Sequence, residues 1–207
     1  MLQKNRLELD NLSIKPMTFC DCINDNIIVK TPKGDTHKRH VCKKCDHIFY
    51  ENPKIVAGCI PVWEDKILLC KRGIEPRYGL WTLPAGFMEN GETTKEAAER
   101  ETMEEAGTRV KDSRLYALFS LPQINQVYMM FLAKLYEPVF AAGEESLDCK
   151  LCLESEIPWD KIAFPTITYS LELFFKDRTN GKFFMHTADL IRSNSSSKLT
   201  NLASYGY

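Results

Sequence analysis

The segment Gly86–Thr108, GFMENGETTKEAAERETMEEAGT, constrains this chain more than any other. Thr93 followed by Glu96 forms a capping box, and Gly107 supplies a C-terminal stop, so a helix is predicted from about Thr94 to Ala106. At about 100° per residue, Glu101, Glu104 and Glu105 fall within one arc, with Ala97 and Ala98 a turn below. Each like-charge pair at such spacings costs roughly 0.2–0.5 kcal/mol on an isolated helix. Arg100 can pair with Glu96 or Glu104, but one guanidinium does not neutralise the cluster; a divalent cation does. Oxygen ligands without thiol or imidazole suit Mg²⁺ or Mn²⁺, and Mg²⁺ typically takes one or two carboxylates plus substrate phosphates. The alternative is a solvated acidic face. The apolar turn Leu83-Pro84-Ala85-Gly86, the Gly91-Glu92 pair and the stop directly after the acidic pair weigh against it.

These residues resemble the Nudix hydrolase signature GX5EX7REUXEEXGU, where U is aliphatic. Gly86, Glu92, Arg100-Glu101, Glu104-Glu105 and Gly107 occupy every fixed position. Thr102 and Thr108 stand at U positions, a departure on the packing side only. The resemblance implies an α/β/α sandwich with a mixed sheet and Mg²⁺-dependent hydrolysis of a nucleoside diphosphate linked to another moiety. It implies that the Gly86 carbonyl, Glu104 and Glu105 ligate metal, that Glu101 ligates or acts as base, and that Glu92 and Arg100 fix the geometry as a pair.

Upstream, Cys42-x2-Cys45 has the spacing of half a tetrahedral zinc site, and Cys20 and Cys22 are candidates for the other half, one residue short of the usual spacing. His37, His40 or His47 can substitute for a cysteine; free cysteines in a small hairpin module are the alternative. A structural zinc ribbon is also what one Nudix subgroup carries at its N-terminus. The run GLWTLPAGFMENGE resembles that subgroup, whose members act on FAD and ADP-ribose. NADH pyrophosphatases add a run like SQPWPFPxS, which this chain lacks, so NADH is the runner-up substrate.

The expected organisation is a flexible leader over 1–18, a ribbon over 19–52, a catalytic domain over 53–178 and a tail over 179–207, loose at its SNSSSK end. Within the domain, 55–63 and 66–71 read as a hairpin joined at Glu64-Asp65, and 114–121 and 127–136 read as further strands. Thr166–Lys176 has the apolar spacing of a packed helix. Cys59 and Cys70 sit in apolar runs and read as core. Cys149 and Cys152 on a strand point to opposite faces and are rejected as a metal pair.

Arg72, Arg77 and Trp81 bring cations and an aromatic face near the acidic helix, as needed to grip phosphates and stack on a ring; core packing is the alternative for Trp81. Gln123, Asn125 and Gln126 can read a base or ribose. Pro122, fifteen residues after Gly107, matches the position of a proline in ADP-ribose pyrophosphatases of the family. Glu144 or Glu145 is a candidate base or additional ligand from outside the box.

A net charge of −1 gives no general attraction to nucleic acid or anionic membrane, so neither is expected as a partner. The eight cysteines, with no signal-peptide pattern at the start, suggest a reducing, cytoplasmic setting. A homodimer is an expectation by analogy with the family. Competing readings are a non-catalytic nucleotide sensor, which would lose box glutamates, and RNA decapping, which near-neutral charge disfavours.

Overall fold

The computed structural model describes residues 26–192 and 197–206, so the expected leader lies outside the described residues. The chain divides into two compact units, with the division between Asn52 and Pro53.

In the first unit, β1 (Ile27–Lys30), β2 (Arg39–Cys42) and β3 (Ile48–Phe49) form an antiparallel sheet. The β2–β3 turn carries Cys45. It is closed by Cys42 N–H donating to His47 O (2.9 Å) and Asp46 N–H to Cys42 O (2.9 Å). Asp46 adopts the left-handed conformation that the tight turn requires (φ 54°).

The second unit is built on one mixed sheet. Its strands are β4 (Lys54–Trp63), β5 (Lys66–Arg72), β6 (Trp81–Thr82), β7 (Ala85–Phe87), β8 (Val110–Leu121), β9 (Gln126–Leu135), β10 (Ser146–Cys152), β11 (Met185–Arg192) and β12 (Ser197–Tyr205). The main order is β10-β5-β4-β9-β8-β11-β12, with β6 on β5 and β7 on β4. The β4–β9 and β8–β11 pairs are parallel and the others antiparallel.

Two helices, α1 (Thr94–Ala106) and α2 (Pro165–Thr179), cover this sheet. Strand alternation sorts the core into two layers. Ile67 and Leu69 join a cluster with Ile167, Leu171 and Phe174 of α2, whereas Leu68 and Cys70 join one with Ala97, Ala98 and Ala106 of α1. Burial on both faces explains the near-continuous apolar run of β4. The arrangement is the expected α/β/α sandwich. The hairpin turns at Glu64, in the left-handed region (φ 54°).

Cys59 and Cys70 are fully buried, as their apolar surroundings predict. Cys149 and Cys152 point to opposite faces: Cys149 Sγ lies 3.6 Å from Cys70 Sγ in the α1 layer, and Cys152 packs in the α2 layer.

The boundary after residue 178 requires a correction. The segment beyond Thr179 is part of the domain: it contributes β11, parallel to β8, and β12, antiparallel to β11. Most of the SNSSSK run, 193–196, lies outside the described residues. His186, Ala188 and Leu190 alternate into the core. His186 Nε2 and Tyr116 Oη both reach Asp177 Oδ2, at 2.8 and 3.0 Å, joining β11 and β8 to α2. A histidine and an alanine at the inward positions make a weak period-two signal, which the neighbouring polar run conceals.

Candidate active site

The acidic helix forms with the predicted caps. Thr93 Oγ1 accepts from Glu96 N–H (3.2 Å), Glu96 Oε2 accepts from Thr93 N–H (2.7 Å), and Gly107 closes the helix in the left-handed conformation. Thr102 and Thr108 are buried, and Thr102 Oγ1 donates to Ala98 O at 2.8 Å. A threonine fills this aliphatic position because the previous turn satisfies its hydroxyl.

Arg100 organises the carboxylates. It grips Glu92 in bidentate fashion, Nε to Oε2 at 3.0 Å and Nη2 to Oε1 at 2.8 Å. Its Nη1 reaches Glu101 Oε1 at 2.7 Å and Glu104 Oε2 at 2.9 Å, and Nη2 also donates to Phe87 O at 3.1 Å. The Arg100 guanidinium holds Glu92 well below the usual carboxylate range, at about 2, assisted by the Glu89 N–H. One planar fork therefore fixes three carboxylates. Lysine, a point charge, cannot reproduce it. Arg100→Lys is expected to lower kcat/KM about tenfold, the loss of roughly one charge-assisted hydrogen bond; steady-state kinetics on the hydrolysed substrate check this.

Glu101 and Glu105 are less hydrated. Burial raises the proton affinity of Glu101 above its ordinary value, against the pull of Arg100. Glu105 is only 8% exposed. Its carboxyl is pushed up to about 8, first by burial and then by the Glu101 charge; Arg72 and a hydrogen bond from the Ala85 backbone oppose the shift. Glu104 is the exposed member. Gly86 lies on β7, against Ala57 of β4. A Cβ there would stand 2.5 Å from the Glu101 carboxylate and would push that side-chain end out of its present position.

The β9–β10 loop adds a second acidic edge. It is fastened to the end of α1 by Ala141 N–H to Ala106 O and Gly143 N–H to Glu105 O, both 3.0 Å, and to β5 by Gly73 N–H to Glu145 O at 2.7 Å. Glu144 and Glu145 thereby line the same cavity as Glu101, Glu104 and Glu105.

That cavity has a volume of about 1250 Å³. Gly86, Arg72, Arg77 and Gln126 line it as the sequence leads one to expect, and Glu92 stands behind, holding Arg100. Trp81 requires a correction: it does not line the cavity. It sits on β6 between β5 and Ile162 and packs against the α2-side core, taking the packing role rather than ring stacking. The aromatic lining comes instead from Phe87 beside the box and, more distantly, from Tyr128 and Phe164, with the Arg72 guanidinium 5.1 Å from the Phe164 ring centre. No spacing in the sequence singles the latter two out. Both lie far along the chain from the box, and only sheet pairing and the start of α2 bring them in. Gln123 lines the cavity too, its Nε2 held by Leu190 O at 3.0 Å.

Among the described residues, no three His, Cys, Asp or Glu side chains converge as a ready-made metal cage. The donor set is nevertheless all oxygen, with one carboxylate held by a backbone N–H and two others bridged, but not neutralised, by a single arginine. This fits a hard divalent cation that completes its shell with water and phosphate oxygens. In the first unit, Lys44 N–H donates to Cys42 Sγ at 3.4 Å, which suits a thiolate at the Cys42–Cys45 turn. Cys20 and Cys22 lie outside the described residues.

Comparison with known proteins agrees with this geometry. Residues 52–167 match the NUDIX domain family, and residues 19–51 match the Nudix N-terminal zinc-ribbon family. The chain is 30% identical to the ADP-ribose pyrophosphatase of Methanocaldococcus jannaschii over 70% of its own length and 89% of that protein's. It is 35% identical to the NAD-capped RNA hydrolase NudC of Salmonella paratyphi C over 56% of its own length, but spans only 42% of that protein's. The crystal structure of a NUDIX hydrolase from Nitrosomonas europaea superimposes with a TM-score of 0.77 at 51% identity, over 81% of this chain and 94% of that one. With Glu101, Glu104 and Glu105 of the signature gathered in one cavity of an α/β/α sandwich, the chain belongs to the Nudix hydrolases, as a pyrophosphohydrolase of the zinc-ribbon subgroup.

Proposed function

We propose that this chain hydrolyses the diphosphate of ADP-ribose and of FAD with Mg²⁺ or Mn²⁺, releasing AMP and the phosphorylated partner. The observation that carries the reading is one cavity combining a carboxylate cluster with arginines, aromatic rings and side-chain amides. At about 1250 Å³ it exceeds the usual range for a small ligand, roughly 300–1,000 Å³, and suits a substrate with a ring system at each end of a diphosphate. The relative named ADP-ribose pyrophosphatase, of which the chain spans 89%, supports the same choice.

When bound, the cation screens the diphosphate and lowers the pKa of a coordinated water. The chain's own residues do the rest. Glu104, Glu105 and the Gly86 carbonyl hold the cation. Glu101, already shifted toward protonation, ligates or takes the proton of the attacking water. Glu144 or Glu145, both at the cavity edge, is the second candidate for that role. Arg100, braced by Glu92, keeps Glu101 and Glu104 in register. Arg72 and Arg77 face the phosphates, and Gln126 contacts the base or ribose. Zn²⁺ in the first unit, held by Cys42 and Cys45 with Cys20 and Cys22, is structural.

NADH is the second reading, because several relatives of about 35% identity are named NAD-capped RNA hydrolases. No helix of the described residues is long and apolar enough to cross a membrane. The eight cysteines suit a reducing compartment, and we assign the chain to the cytoplasm on that ground. A homodimer remains the family-based expectation for its assembly.

The test is a Mg²⁺-dependent panel of ADP-ribose, FAD, NADH and dinucleoside polyphosphates, with products identified by mass spectrometry. AMP from ADP-ribose and FAD is the expected result. Turnover confined to NADH would reverse the ranking, and no turnover of any member would remove the reading.

A further inference from the structure

The cavity that holds the carboxylates is also bordered by the start of α2. Phe164, Pro165 and Thr166 line it there, together with Arg72. Phe164 occupies the N-cap position and supplies no side-chain cap, and Pro165 follows at the first helical position. A helix of 15 residues thus begins at the cavity without a side-chain cap; in its first turn Pro165 has no N–H, and Ile167 N–H and Thr168 N–H turn back to Phe164 O at 3.0 and 3.2 Å.

A second observation points the same way. Thr166 is 1% exposed, and its Oγ1 is the one buried side-chain nitrogen or oxygen among the described residues that has no hydrogen-bond partner. Other buried threonine and serine hydroxyls are satisfied: Thr82 Oγ1 donates to Leu83 O, Thr102 Oγ1 to Ala98 O and Ser170 Oγ to Thr166 O. An orphaned buried hydroxyl carries a desolvation penalty, and its persistence in one place calls for a partner that arrives from outside. Valine, of the same shape, would fill the space without that penalty.

The local charge selects the partner. The N-terminal end of a helix favours anions. Arg72 adds a full positive charge, held over the Phe164 ring and by Nε donation to Pro76 O at 2.9 Å. Arg72 is also close enough to influence the Glu105 carboxyl, so this end of the cavity and the metal end share one cation.

We propose that the N-terminus of α2, with Thr166 Oγ1 and Arg72, forms a phosphate subsite that holds the phosphoryl group of the substrate not under attack. The assignment of that phosphoryl rests on the diphosphate reading above; the anion site itself does not. Phe164 is a positioning residue that keeps Arg72 directed at the phosphate.

The test uses the full-length protein and inorganic phosphate as probe, in EDTA so that the carboxylate end is not bridged by metal. Thermal shift and isothermal titration compare wild type with Thr166→Val and Thr166→Ser. Thr166→Val is expected to fold, with an equal or higher Tm, because it removes an unsatisfied hydroxyl. It should bind phosphate about tenfold or more weakly, the loss of a hydrogen bond to a charged group. Thr166→Ser should retain most of the binding. With the hydrolysed nucleotide, Thr166→Val should raise KM by a similar factor, with a smaller change in kcat. Equal phosphate affinity in wild type and Thr166→Val overturns the subsite, as does the absence of phosphate binding to wild type. Failure of the substrate panel with phosphate binding intact would instead remove the diphosphate reading and leave the anion site standing.

Discussion

Glu105→Gln is expected to reduce kcat by about 10²–10³-fold, the equivalent of roughly 3–4 kcal/mol of transition-state stabilisation from a well-held metal ligand. The same substitution should stabilise the metal-free protein at alkaline pH. Glu105 is 8% exposed, and its carboxyl rises from 4.5 to about 8 in the folded chain. Between those values the folded state keeps a proton that the unfolded state has lost, so stability falls as pH rises across the window. Below about pH 4.5 the penalty is absent, and above about pH 8 it is fully present. Its size is on the order of a few kcal/mol, since every tenfold change in proton affinity corresponds to about 1.4 kcal/mol. Glutamine cannot ionise and should flatten this part of the profile. Thermal denaturation in EDTA from about pH 5 to 9, with wild type and variant side by side, checks the claim. In wild type, Mg²⁺ should offset much of the alkaline loss by compensating the buried charge. A variant with full turnover, or a wild type whose stability does not decline over this range, would show that Glu105 is not the buried ligand described.

Gly143→Ala is expected to cost roughly 1–3 kcal/mol of stability by overpacking. It should also lower kcat about a hundredfold, the effect of displacing a catalytic group by about 1 Å. A Cβ at Gly143 would overlap the Glu104 carbonyl oxygen at the end of α1, which is backbone and cannot turn aside. The loop would have to lift, breaking Gly143 N–H to Glu105 O and shifting Glu144 and Glu145 away from the cavity. Circular-dichroism melts and steady-state kinetics measure the two effects separately. An alanine variant with native Tm and native kcat would mean that the loop is not docked on the helix in this way.

The amino-acid sequence by itself determined those features whose causes are local. The capping box at Thr93, the glycine stop at Gly107 and the placement of Glu101, Glu104 and Glu105 on one arc follow from helix geometry within a few turns. The opposed faces of Cys149 and Cys152 follow equally from the alternation of a strand. Only the tertiary structure decided what depends on residues distant in the chain. It buried Glu105 beneath Ala85 and left Glu104 in solvent, although the two are adjacent in sequence. It put the Phe164 ring against the Arg72 guanidinium and packed Trp81 on the α2-side core, and it left Thr166 Oγ1 alone at the start of α2. It also drew Met185–Arg192 into the sheet beside β8. Helix caps and strand faces are set by neighbours a few residues away, whereas burial, proton affinity and an unsatisfied hydroxyl are set by whatever the rest of the chain brings against them.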